Sequence, residues 1–135
     1  MDKKKKPEKE SAAGRYAYEG LDRLLHEKAR LGILTSLAAR PEGLVFGELK
    51  GLCSLTDGNL SRHLQVLEGA GVVEIWKGYQ GRKPQTLCRL SKEGRRRFLE
   101  YLEELERVVQ DTAAAREGVG SVQADHRLPK GWAPA

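Results

Sequence analysis

Cysteine is scarce in this 135-residue chain: there are two, Cys53 and Cys88, far apart in sequence. A small secreted fold stapled by disulfides needs more, so that class is excluded. No apolar run approaches the ~18 residues of a membrane helix, so no membrane partner is expected. The N-terminus, MDKKKKPEKE, is basic but lacks the apolar stretch of a signal peptide. A cytoplasmic protein with reduced thiols is the expectation. Histidine is sparse too, with three. His26 and His126 have no neighbour at metal-ligand spacing. His63, between Arg62 and Leu64 at the edge of an apolar stripe, reads as packed or hydrogen-bonded. No catalytic constellation emerges either. Glu100, Glu103, Glu104 and Glu106 form a solvated face, with no sign of acid–base work. Gly78-x-x-Gly81-Arg82-Lys83 lacks the GK[ST] ending and the strand-to-helix setting of a phosphate loop. The chain is therefore not expected to be an enzyme or to hold a metal or cofactor.

What it does have is positive charge. Lysine and arginine number 24 against 19 acidic residues, a net +5 with a pI near 9.3, which suggests polyanion partners. Residues 1–14 are too polar to offset the entropy of ordering and read as a disordered basic tail. Residues 15–115 hold one domain. Residues 116–135, with two prolines and Trp132, read as a loose tail.

Along the domain, Leu21, Leu24, Leu25, Ala29, Ile33 and Leu37 recur at the helical period, so the first helix is expected from Leu21 to the stop at Pro41. Leu44–Phe46 is a short extended run. Gly47–Cys53 is a two-turn helix, with Leu49, Leu52 and Cys53 on its inner side. Thr56 then caps a helix from Asp57 to Gly69, where glycines end it. Val72–Lys77 and Gln85–Leu90 read as strands, joined by GYQGRKP as a long charged loop. Trp76 is expected to pack from its strand against the last helix. Ser91 caps that helix, 92–115, on which Phe98, Leu102, Leu105 and Val109 keep a heptad step. The order gives an α+β, mostly helical architecture: a winged helix-turn-helix with a three-helix core, a two-stranded β wing and a long C-terminal helix.

The helix 56–68 explains its own composition. Leu60, Leu64 and Leu67 face inward against Ile33, Leu37, Leu49 and Leu52. The other side carries short side chains, one Arg and two amides. Gly58 and Ser61 let the backbone approach a groove wall. The major groove accepts one helix; Arg62 can fork onto guanine, and Asn59 and Gln65 can pair with adenine. Thr56 and Ser61 can donate to phosphate, and Asp57 suits the positive helix end. The wing, 77–84, adds Lys77, Arg82 and Lys83 for backbone or minor-groove contact.

LTDGNLSRHLQVLEGAGVVEI, followed by KGYQGRKPQTLCRLSKEGRRRF, resembles the winged-helix transcriptional regulators of the ArsR/MarR-like superfamily. It is most similar to a small single-domain group in which the LTDGNLSRHL and GRKP motifs recur. The likeness covers about Leu21 to Val109. It implies a homodimeric regulator of double-stranded DNA. The helix matching Thr56–Leu67 would be the recognition helix and the loop matching Gly78–Pro84 the wing. The terminal helices would form the dimer, in agreement with the stripe Phe98, Leu102, Leu105 and Val109. That stripe can also pack on Leu21, Leu24 and Leu25 of its own chain. A dimer would place two recognition helices about 34 Å apart on a palindromic site. Two departures stand out: Cys88 replaces an aromatic of the returning strand, and Cys53 stands alone where arsenic-repressor relatives pair cysteines for metal. Two other functions remain compatible with the residues. One is a winged-helix module docking on transcription machinery; the other is a ligand- or redox-responsive sensor acting through the dimer.

Overall fold

The computed structural model of the protein describes residues 13–117 and 127–135. Most of the expected N-terminal tail, and 118–126 of the C-terminal one, lie outside the described residues. The elements in chain order are α1 (Lys28–Ala38), β1 (Leu44–Val45), α2 (Phe46–Cys53), α3 (Asp57–Gly69), β2 (Val73–Gln80), β3 (Lys83–Leu90) and α4 (Lys92–Glu117). Helices α1, α2 and α3 enclose one core with the base of an antiparallel sheet of order β1-β3-β2. Leu25, Ile33, Leu34, Leu37, Leu49, Leu60 and Leu67 are fully sealed from water, joined by Phe98 and Tyr101 of α4. Each such side chain contributes roughly 1.5–3 kcal/mol.

The first helix starts later than the leucine spacing predicts. Glu27 is extended (φ −151°, ψ 136°) and its carboxylate accepts from the Arg30 amide, so α1 begins at Lys28. Residues 15–26 form instead a strap along α4. Asp22 accepts from Arg97 Nε at 2.6 Å and from the Leu24 amide at 2.9 Å. His26 Nδ1 meets the Tyr101 hydroxyl at 2.7 Å, and the Gly20 amide donates to Glu104 at 3.1 Å. Both Arg15 and the Tyr18 hydroxyl donate to Asp111. Captured on these partners, the Leu21–Leu25 leucines bury without being helical.

The wing also differs from expectation. In place of a long loop, both strands continue to a two-residue turn, Gly81–Arg82, with Gln80 opposite Lys83. Gly81 has φ +69°, the left-handed conformation that a glycine-first hairpin turn needs. Pro84 is tolerated inside β3 because its missing N–H falls on a non-hydrogen-bonded rung with Tyr79, facing the side where β1, paired only at Leu87 and Cys88, does not reach. The wing is two-stranded as expected, and the short extended run at Leu44–Val45 joins it as a third strand, paired with β3. Leu52, expected inside, is 65% exposed; Phe46, Leu49 and Cys53 make up the inner side of α2.

Ser91 joins the wing to α4. Its hydroxyl accepts from the Gly94 amide at 2.8 Å and donates to the Gly71 carbonyl at 2.6 Å. Gly94 lies so close to β2 that a Cβ there would sit 1.9 Å from the Val72 carbonyl oxygen. Backbone cannot yield as a side chain can, so Gly94→Ala is expected to cost about 3 kcal/mol, read as a lowered melting temperature. A second test concerns the strap. Its Arg97 partner holds the Asp22 carboxyl below its ordinary value. The stabilisation is therefore present above the usual carboxylate range and lost as pH falls through the lowered folded value. Asp22→Asn should lower the melting temperature at pH 7, and the gap to wild type should close in acid below about pH 4.

Candidate nucleic-acid interface

The polar surface centres on α3. Thr56 caps the helix: its backbone is extended and its Oγ1 accepts from the Asn59 amide at 3.1 Å. Asp57 at the first turn pairs with Lys50 of α2 at 2.8 Å, an exposed bridge that ties the two helices at their corner. Leu60, Leu64 and Leu67 are buried to 2% exposure or less. His63 completes the inner face. Its Nδ1 accepts from Arg30 Nε at 3.2 Å, and Arg30 also donates to the Leu24 carbonyl at 3.0 Å. A polar ring inside the core is thus satisfied, as buried polar groups must be.

With the inner face fixed, 3.6 residues per turn places Gly58, Arg62, Gln65 and Gly69 on one outward line. Thr56, Asp57, Gly58, Asn59, Ser61, Arg62 and Gln65 are all exposed. Nothing comes within 4 Å of a Cβ built on Gly58, so the backbone there is open to close approach.

The wing stands beside this helix. Ser61, Leu64, Gln65 and Glu68 of α3 face Phe46, Ile75, Lys77 and Thr86 across an open groove, and Lys77 Nζ donates to Thr86 Oγ1 at 3.3 Å. Strand alternation puts Tyr79 on this α3 side and Lys83 on the other, with Arg82 in the turn. Tyr79, Arg82 and Lys83 are all exposed, as is Lys77. Two exposed apolar residues escape sequence reasoning: Tyr79, 75% exposed across from Pro84, and Val66 of α3, 38% exposed. The two-residue alternation of β2 is the signal for the first, and the position of Val66 four residues after Arg62 is the signal for the second.

Trp76 does not pack on α4 as expected. It lies half-exposed on the opposite face of the sheet, beside Leu87, under the Arg89 guanidinium at 5.5 Å. Arg89 and the Trp76 indole both donate to Glu74, and Arg89 in particular holds that carboxyl below its ordinary value.

The α4 stripe divides. Phe98 is buried in its own chain's core, stacked on Tyr101 at 6.0 Å, so its side chain cannot meet another subunit. Leu102 and Leu105 are half-buried against that core, while Val109 and, next to Phe98 in sequence, Leu99 are 50% and 51% exposed. Leu25 and Phe98 share that core and Leu21, Leu24, Leu102 and Leu105 pack against it, so the stripe is partly used within its own chain. The two cysteines differ in setting. Cys53 is half-buried with Sγ 3.8 Å from Ser36 Oγ. Cys88 is fully buried, which pushes its thiol up to about 11. Among the described residues no cluster of three or more His, Cys, Asp or Glu side chains could hold a metal, and no helix is long and apolar enough to cross a membrane.

This geometry agrees with known proteins. The sequence pattern of the winged helix DNA-binding domain matches residues 29–109. An uncharacterized protein of Methanocaldococcus jannaschii is 38% identical over 60 residues, and the match spans 44% of this chain and 65% of that relative's length. Among solved structures, a transcriptional regulator homologue protein from Pyrococcus horikoshii OT3 is similar with a TM-score of 0.64 at 29% identity, over 68% of this chain and 90% of that one. The M. tuberculosis transcriptional regulator MosR, solved in complex with DNA, is similar with a TM-score of 0.54 at 19% identity, over 87% of this chain and 92% of that one; at this identity the likeness is one of fold.

The cysteine environments make a simple test. A thiol reagent reacts with thiolate, so native protein at pH 8 should leave Cys88 unmodified, as mass spectrometry of its peptides would show. Labelling of Cys88 should appear only after denaturation. Rapid labelling in the native state would mean that the base of the sheet opens.

Proposed function

This chain belongs to the winged helix DNA-binding domain family, a family of DNA-binding regulators rather than enzymes, and from that premise we propose that it is a sequence-specific transcriptional regulator acting as a homodimer. Helix α3 enters the major groove of double-stranded DNA. Arg62 and Gln65, on its outward line, read base edges, with Asn59 beside them. Thr56 and Ser61 donate to phosphates, and the helix N-terminus adds its partial positive charge. Lys77, Arg82 and Lys83 of the wing neutralise the backbone on either side of the groove.

One observation carries this reading. The face of α3 opposite its buried leucines is exposed along its whole length and made of side chains short enough for close approach. DNA capture by two copies is favoured by α4, where Leu99 and Val109 remain half-exposed beside the partly covered Leu102 and Leu105. The likeness in fold to a regulator solved in complex with DNA supports DNA as the partner. A two-fold axis through α4 would set two α3 helices about 34 Å apart, one DNA turn, over a palindromic site.

Selection of bound duplexes from a random pool, with sizing of the complex, tests the assignment. The expected product is a palindromic sequence bound by two chains. Arg62→Ala should cost about 1–3 kcal/mol on that duplex and relax one base preference. Lys83→Ala should weaken all duplexes alike and reduce the salt slope by about 0.9. Duplex binding indifferent to salt and to both substitutions would remove the assigned surface.

A further inference from the structure

We propose that Val66 reads thymine through its 5-methyl group and so adds one base to the site that α3 recognises. The inference rests on the reading of α3 as the helix that enters the major groove.

Val66 is an apolar side chain, 38% exposed, on the polar side of α3, and it is absent from the hydrophobic core. Its row on the helix is Asn59, Arg62 and Val66, spaced three and four residues apart. This row lies on the flank away from the wing, because the flank toward the wing carries Ser61, Gln65 and Glu68. Val66 thus stands beyond two side chains suited to base edges, outside the hydrophobic core. A β-branched residue is a weak choice for an exposed helical position, since its χ1 is stiff and its propensity low. That stiffness helps a contact surface: the two methyl groups are already fixed, so little rotamer entropy is lost on binding.

The chemistry selects the base. In the major groove, guanine, cytosine and adenine present hydrogen-bonding atoms with only ring C–H groups beside them. Thymine alone presents a methyl group, the bulkiest apolar feature of that surface. Setting Val66 against a nitrogen or oxygen edge would strip water from a polar atom without replacing its hydrogen bond. Setting it against the thymine methyl buries apolar surface on both sides. One helical turn is about 5.4 Å and the base step about 3.4 Å. The thymine should therefore lie one or two base steps from the guanine that Arg62 contacts.

The test uses full-length protein and the duplex recovered from the random pool. Each thymine is replaced in turn by deoxyuridine, which deletes the methyl and leaves every hydrogen-bonding atom in place. At one thymine per half-site, near the Arg62 contact, wild-type affinity should fall about fourfold, the change expected for one buried methyl-sized group. Val66→Ala should bind the thymine duplex more weakly and show no thymine-to-uracil difference at that position. Its melting temperature should stay close to wild type, since the residue lies outside the hydrophobic core. If wild type ignores every replacement, or if Val66→Ala keeps the difference, the inference is overturned, while an Arg62→Ala loss on the same duplex leaves the reading of α3 standing. If no duplex is recovered, that reading falls and the inference falls with it.

Discussion

Leu60, Leu64 and Leu67 lie on one side of α3 and are shut from water by α1, α2 and the base of the sheet. This seam determines the rotation of α3 about its axis, and therefore which residues can meet anything outside the protein. A turn of the helix by one residue would bring Ser61 or Gln65 into the core without a partner, at a cost of roughly 1–3 kcal/mol each. Arg30 reinforces the setting by bonding His63 from the next helix while also holding the Leu24 carbonyl. The interface is in this sense a consequence of the core. Its polar line exists because the apolar line behind it has nowhere else to go.

The other elements follow from that orientation. The Ser54 backbone turns left-handed (φ 53°) to end α2, and Thr56 starts α3 two residues later, so the two helices meet at a short corner locked by Lys50 and Asp57. The tie is exposed and worth little in energy, but it aligns the helix N-terminus with the rest of the polar face. The wing grows from the same core: Val73, Cys88 and Leu90 are buried at its base, and exposure rises along both strands toward Gly81. Ser91 and Gly94 then turn the chain into α4 hard against the Val72 backbone. The strap from Arg15 to His26 binds the far side of α4, so the helix that carries Leu99 and Val109 is held rigidly to the domain that carries α3. In the proposed dimer, a rigid link of this kind would fix the spacing between the two α3 helices.

Much of this was legible in the chain itself. The α3 bounds, its Thr56 cap and its buried leucines follow from spacing and capping chemistry, and these are local signals that the tertiary structure reinforces. The Ser91 cap was legible for the same reason. Other features were not. The Gly78-to-Pro84 segment reads as a loop because glycine and proline mark turns, yet Gly78 costs a paired strand little and Pro84 falls on a rung that needs no N–H. Leu21, Leu24 and Leu25 keep helical spacing, but Asp22 is held by Arg97, 75 residues away, and no local pattern announces such a partner. Leu52 looked buried because it repeats with Leu49 and Cys53; α2 is short, and the core reaches only one edge of it. Phe98 continues a heptad but is consumed by its own core, so the apolar surface left on α4 is smaller than the stripe suggests.

The central claim is that the outward face of α3 occupies a major groove, and dimethyl sulfate footprinting of the bound duplex tests it most directly. The reagent methylates guanine at N7 in the major groove and adenine at N3 in the minor groove. Strong protection of guanine N7 is expected in both half-sites, lost at one guanine per half-site when Arg62 is replaced by alanine. Protection confined to adenine N3, or guanine N7 left fully reactive in a saturated complex, would contradict it.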